Sequence, residues 1–205
     1  MTAISAPGAV PATTSGGRRI DPSNYRPALV QVGVIVWLAS ELMFFSGLFA
    51  AYFSLRATTP VWPPKGYILD VPPVTVATIL LVLSSFTMQL GVHRSIRGSR
   101  AGFMGWLILT FILGALFEGL QISDYINRNF AIDSSAYGSA FYTLTGFHFL
   151  HVLGGLVGMI FIGARAMKTR RFGHRTVPAI EFLSYYWHFV DVVWIALFLA
   201  IFVLK

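Results

Sequence analysis

Glu41, Glu118, Gln121, His148, His151, Glu181, His188 and Asp191 stand inside long apolar stretches of this sequence. Carboxylates and imidazoles are the groups that hold metals, clasp haem and carry protons. In hydrocarbon each costs roughly 2.5–3.5 kcal/mol at mid-depth on insertion scales, so each asks for a partner or a task. His148, His151, His188 and Asp191 could in principle ligate a metal, and histidines on two helices could clasp a b-type haem. Each pair sits one turn apart on its own helix, however, which suits side-by-side hydrogen bonding better than axial ligation from opposite faces. The favoured reading is an interhelical polar network with no metal. Glu41 differs, because Leu38, Phe44, Phe45 and Leu48 surround it in sequence and no base falls within a turn. It reads either as a structural hydrogen-bond donor or as part of a proton path. No nucleophile elbow accompanies the Ser, His and Asp residues, which disfavours a hydrolase.

The elements that must position these groups are membrane spans. Of the 205 residues 56% are hydrophobic and 11% charged, against about a quarter charged in soluble domains. Five stretches reach the roughly 20 residues a span needs: about Ala28–Leu55, Val74–Val92, Gly102–Gln121, Tyr137–Ala164 and Val177–Leu204. The expected fold is an all-α five-helix bundle forming one domain over residues 27–205. Residues 1–26, small and polar, read as a disordered tail rather than a signal peptide. At about 1.5 Å per residue, Glu41 falls about 20 Å and His148 and His188 about 16 Å into their spans, near the midplane. Glu118 and Gln121 fall near the outer end of the third span, and Glu181 near the inner end of the fifth. On the fourth span His148, His151, Gly155 and Gly158 share a stripe. On the fifth, Glu181, Tyr185, His188 and Asp191 do, so His188 and Asp191 can support each other or bond across to the fourth span.

Charge orients the bundle. Of fifteen lysines and arginines, Arg18, Arg19, Arg26, Arg94, Arg97, Arg100, Arg165, Lys168, Arg170, Arg171 and Arg175 fall on one side. Arg56, Lys65, Arg128 and Lys205 fall on the other. Bases concentrate in cytoplasmic loops, so the N-terminus is expected inside and the C-terminus outside. That also explains the net charge of +7 and leaves no call for nucleic acid as a partner. The absence of cysteine removes disulfides and any thiolate-ligated copper or iron–sulfur centre in this chain.

Four motifs in order now resemble one family. Ser40-Glu41-Leu42-Met43-Phe44-Phe45-Ser46-Gly47-Leu48-Phe49 looks like the glutamate-bearing helix of subunit III of the cytochrome c oxidases. Trp62-Pro63-Pro64 looks like its loop. Tyr137-Gly138-Ser139-Ala140-Phe141-Tyr142 with Thr145-Gly146-Phe147-His148-Phe149-Leu150-His151-Val152 resembles its penultimate helix. Tyr185-Tyr186-Trp187-His188-Phe189-Val190-Asp191-Val192-Val193-Trp194 resembles its last helix. The resemblance runs from about Pro27 to the end, in the short five-helix bacterial form.

The resemblance implies a non-catalytic subunit of a proton-pumping aa3-type oxidase in the bacterial plasma membrane, supporting the catalytic subunit and its proton uptake. Haem a, haem a3 and copper would reside in partner subunits and none in this chain. Subunits I and II, a small subunit IV, phospholipid and a cytochrome bc-type complex are the implied partners. Glu41 matches the family's buried carboxylate, Arg165 and Glu181 match lipid-cleft positions, and His148, His151, His188 and Asp191 match structural ones. Glu118 matches no family carboxylate, and a near-interface contact with Gln121 and Asp124 is expected of it. The alternative is subunit III of a ubiquinol oxidase or an auxiliary subunit of a nitric oxide reductase. The cytochrome c branch is favoured by a glutamate at position 41 and the Trp-Pro-Pro loop.

Overall fold

A computed structural model describes residues 29–67, 71–169, 172 and 176–204, with side chains from residue 32. The tail at residues 1–26 and the bases Arg170, Arg171, Arg175 and Lys205 lie outside the described residues. Five helices follow in order: α1 (Leu29–Thr58), α2 (Val71–Ile96), α3 (Arg100–Asn127), α4 (Ala136–Lys168) and α5 (Val177–Phe198). The last continues as a π-helical turn over Leu199–Val203. All five are long and apolar enough to cross a membrane.

The helix ends follow local chemistry. α2 takes Pro72 and Pro73 into its first turn, where no intrahelical partner awaits their missing N–H. Ser99 caps α3 by accepting from the Gly102 N–H at 3.3 Å, and Ser135 caps α4 by accepting from the Gly138 N–H at 3.1 Å. α3 extends past Gln121 to Asn127, and α4 past Ala164 to Lys168. Polar residues there end the apolar pattern but not the helix.

α2, α3, α4 and α5 form a closed ring of four, each packed on the next, and α1 lies outside against α4 and α5. Trp187 of α5 is the central wedge and is fully buried. A Cβ on Gly155 of α4 would lie 2.7 Å from its ring, and one on Gly114 of α3 would lie 2.8 Å from it. Its indole N–H donates to Ser84 Oγ of α2 at 2.9 Å. One side chain thereby joins all four core helices, and the two glycines are what admit it.

The helices alternate in direction. At one end Gly33, Trp37, Arg165 and Pro178 meet, and Arg100 donates to the Thr169 carbonyl. Arg94, Arg97, Arg100, Arg165 and Lys168, the described bases expected on one side, therefore gather there. At the other end an aromatic cluster ties down α1. Trp62 donates to the Tyr52 hydroxyl at 3.1 Å and packs edge-on to Tyr137 at 5.0 Å. Tyr67 stacks on Phe130 at 4.5 Å. Arg128 pairs with Asp124 at 2.7 Å and lies over the Phe141 ring at 5.1 Å. Aromatic and cationic residues of this kind suit a membrane interface. The outer faces expose large apolar side chains such as Met43, Phe86, Phe161 and Val192, as lipid or protein contact requires.

Candidate functional site

Glu41 sits about 18 Å along α1, at 1.5 Å per residue from Leu29. Its Oε2 lies 3.1 Å from His151 Nε2 of α4. The sequence shows no base near Glu41 because its partner is 110 positions away. Both side chains are largely covered, His151 being 17% and Glu41 23% exposed. Phe45 of α1 packs edge-on against the imidazole at 4.9 Å, and Tyr186 of α5 donates to the His151 carbonyl at 2.8 Å. The pair thus sits where α1, α4 and α5 meet.

The proton count follows from the neighbours. His151 Nδ1 lies 2.7 Å from the Phe147 carbonyl, which can only accept, so Nδ1 carries a hydrogen. The bridge to Glu41 then holds one proton, either on the carboxyl with a neutral imidazole or on Nε2 with a carboxylate. Both arrangements are neutral overall, so the proton can shift without placing net charge in the membrane.

The other polar residues do not join this pair. His148, three positions earlier on α4, points the other way into the core. It is fully buried, 4.9 Å from the Trp194 ring and edge-on to Phe117 at 6.0 Å, and neither ring nitrogen makes a hydrogen bond. His188 does not reach α4 and instead faces α2. Its Nδ1 lies 2.5 Å from Ser85 Oγ, and its Nε2 lies 3.3 Å from Gln89 Oε1. Asp191 faces Ser85 as well. The four residues expected to form one network therefore divide among three interfaces. The periodicity that placed them on stripes did not say which neighbour each stripe would meet.

Arg165 lies in the last turn of α4 and lines a hollow of about 650 Å³ with Trp37 of α1 and Phe182 of α5. Glu181 is half-buried on α5 beside that hollow's Ala179 and Phe182 but does not line it. Glu118 departs from expectation. α3 runs nine residues beyond it, so it lies deeper than a near-interface site. It is 5% exposed and its carboxyl oxygens make no hydrogen bond, to Gln121 or Asp124 included.

Sequence reasoning missed the Glu41 partner, the Trp187 wedge and the Ser85–Gln89 side of α2. Ser84, Ser85, Thr87 and Gln89 form a polar run inside the second span, and that run was the available signal.

A sequence profile of cytochrome c oxidase subunit III matches residues 25–205. The probable cytochrome c oxidase subunit 3 of Mycobacterium tuberculosis is 47% identical over 184 residues, covering 88% of this chain and 90% of the relative. That of Nocardia farcinica is 43% identical over 208 residues, covering 100% and 99%. The cytochrome c oxidase subunit 3 of Thermostichus vulcanus is 34% identical over 188 residues, covering 90% and 92%. With likeness of this extent spanning all five helices, the chain belongs to the cytochrome c oxidase subunit III family.

Proposed function

We propose that this chain is the redox-inert subunit III of a proton-pumping aa3-type cytochrome c oxidase. It braces the catalytic subunit, binds phospholipid and supports proton uptake, with its N-terminus cytoplasmic and its C-terminus outside. The observation that carries the functional part is the Glu41–His151 bridge, a one-proton hydrogen bond held mid-membrane between α1 and α4. Support for the orientation is the gathering of bases at one end of the bundle. Support for lipid is the hollow beside Arg165, whose guanidinium suits a phosphate at the membrane surface while Trp37 and Phe182 suit acyl chains.

Haem and copper are assigned to partner subunits because His148, His151 and His188 are poorly placed to ligate them. Both His151 nitrogens and both His188 nitrogens are engaged by side-chain or carbonyl oxygens. His148 is walled in by Phe117 and Trp194. Among the described residues no three His, Asp or Glu side chains converge.

The test of the proton role is Glu41→Gln. Gln keeps a hydrogen bond to His151 but has no carboxyl proton to exchange. In the assembled oxidase the substitution is expected to slow proton uptake while the chain is recovered normally with its partners. Unchanged uptake, measured with a pH-indicator dye during turnover, would reduce the pair to a brace.

A further inference from the structure

A groove of about 360 Å³ runs between α3 and α4 at the end of the bundle where the bases gather. Met104, Ile108 and Phe111 of α3 wall one side, and Ile160, Ala164 and Met167 of α4 wall the other. Ile108, Ile160 and Met167 are each more than half exposed, so the groove opens sideways from the bundle. Buried Gly163 closes it behind, where a Cβ would lie 3.2 Å from Leu107 of α3. At 1.5 Å per residue, Met104 lies about 6 Å and Phe111 about 16 Å along α3 from Arg100. That depth is about one leaflet of a hydrocarbon core roughly 30 Å thick.

Both walls end on a cation. Arg100 stands one turn before Met104 on the same stripe of α3, and Lys168 one turn after Ala164 on α4. Arg100 is fixed across the mouth of the groove. It donates to the Met167 carbonyl at 3.5 Å and to the Thr169 carbonyl, and its guanidinium lies 5.6 Å from the centre of the Phe172 ring. Those two bonds use two of its five N–H groups, and the other three meet no acceptor among the described residues. No acid stands between Arg100 and Phe111 or between Met159 and Lys168. The walls therefore ask for an occupant with an apolar stem and an anion at its end. A partner's helix would bring its own bases to this side of the membrane, if that side is cytoplasmic as proposed, and like charges would meet at the mouth. An anionic lipid brings the opposite charge, and a guanidinium suits a phosphate.

We propose that the α3–α4 groove binds an anionic glycerophospholipid, with one acyl chain between Ile108 and Ile160 and the phosphate on Arg100 and Lys168. This site is separate from the Arg165 hollow, which opens toward Trp37 of α1 and Phe182 of α5. The choice of an anionic lipid over a helix rests on the proposed orientation.

The experiment uses the intact oxidase, reconstituted in vesicles of phosphatidylcholine with a minor share of phosphatidylglycerol. A benzophenone amino acid at Ile108 is photoactivated and its adducts are identified by mass spectrometry. Phosphatidylglycerol adducts are expected to be enriched about fivefold over the vesicle composition. Lys168→Gln, at an exposed side chain with no bond among the described residues, is expected to remove most of that enrichment. Arg100→Gln is expected to do the same, and Arg100→Lys, which keeps the charge, to retain it. Arg165→Gln is expected to leave it in place. Adducts in bulk proportion, adducts to a helix of another subunit, or enrichment that survives both Gln changes would overturn the proposal. Loss of enrichment with Arg165→Gln but not with Lys168→Gln would also overturn it and assign the lipid to the Arg165 hollow instead.

Discussion

Glu118 shows how little residue type alone says about a buried carboxylate. Glu41, Glu118 and Asp191 are each an acid inside a long apolar stretch of the sequence. The structure gives them three different environments: a bridge to an imidazole, a sealed orphan and a buried acid facing Ser85 of α2. An unsatisfied buried polar group costs about 1–3 kcal/mol. Leu fills similar volume without that cost, so Glu118→Leu is expected to raise thermal stability in detergent by about that amount. A lowered melting temperature would mean that the carboxyl has a partner, such as an internal water. The sequence placed Glu118 too near the surface because hydropathy ended the third span at Gln121, whereas the helix hydrogen-bonding runs to Asn127. Glu41 stands out in the sequence as a lone acid, but its partner is His151, which no local pattern could pair with it.

At the scale of elements, close approach is set by glycine and occupied by tryptophan. Gly155 and Gly114 hold the faces of α4 and α3 near enough for Trp187 to fill the space between them. Adding a methyl at Gly155 would force the indole to move, and overpacking of this kind costs about 1–3 kcal/mol. Gly155→Ala is therefore expected to lower the melting temperature. Gly119→Ala, where a Cβ meets nothing within 4 Å, is expected to leave it unchanged or slightly raised. Equal effects at the two sites would remove the wedge as the organiser of the core. The five spans were legible because hydrophobic length is a strong signal. The partners of each face were not, since an all-apolar helix has no polar side to point away from the core. The α5 stripe of His188 and Asp191 met α2 rather than α4 for this reason.

Across the whole molecule the division of labour follows exposure. The four-helix core is tight and polar groups within it are few. α1 is held at one end by the Trp62–Tyr52–Tyr137 cluster, at mid-depth by Glu41–His151, and at the other end it borders the Arg165 hollow. Among the described residues the remaining outer surface is broad and apolar, as lipid or protein contact requires. Family membership was legible from four short motifs because their residues occupy fixed points of this architecture: the Glu41–His151 bridge, the Trp62–Tyr137 loop cluster and the Trp187 wedge. The most direct test of the proposed role is purification of the chain from native membranes through an affinity tag in mild detergent. Partners are identified by mass spectrometry, and a reduced-minus-oxidised spectrum is taken before and after the chain is separated from them. A redox-inert oxidase subunit predicts co-purification of haem- and copper-bearing subunits, with all visible absorbance leaving with those partners. Stoichiometric haem or copper retained on the separated chain, or recovery without any oxidase subunit, would contradict it.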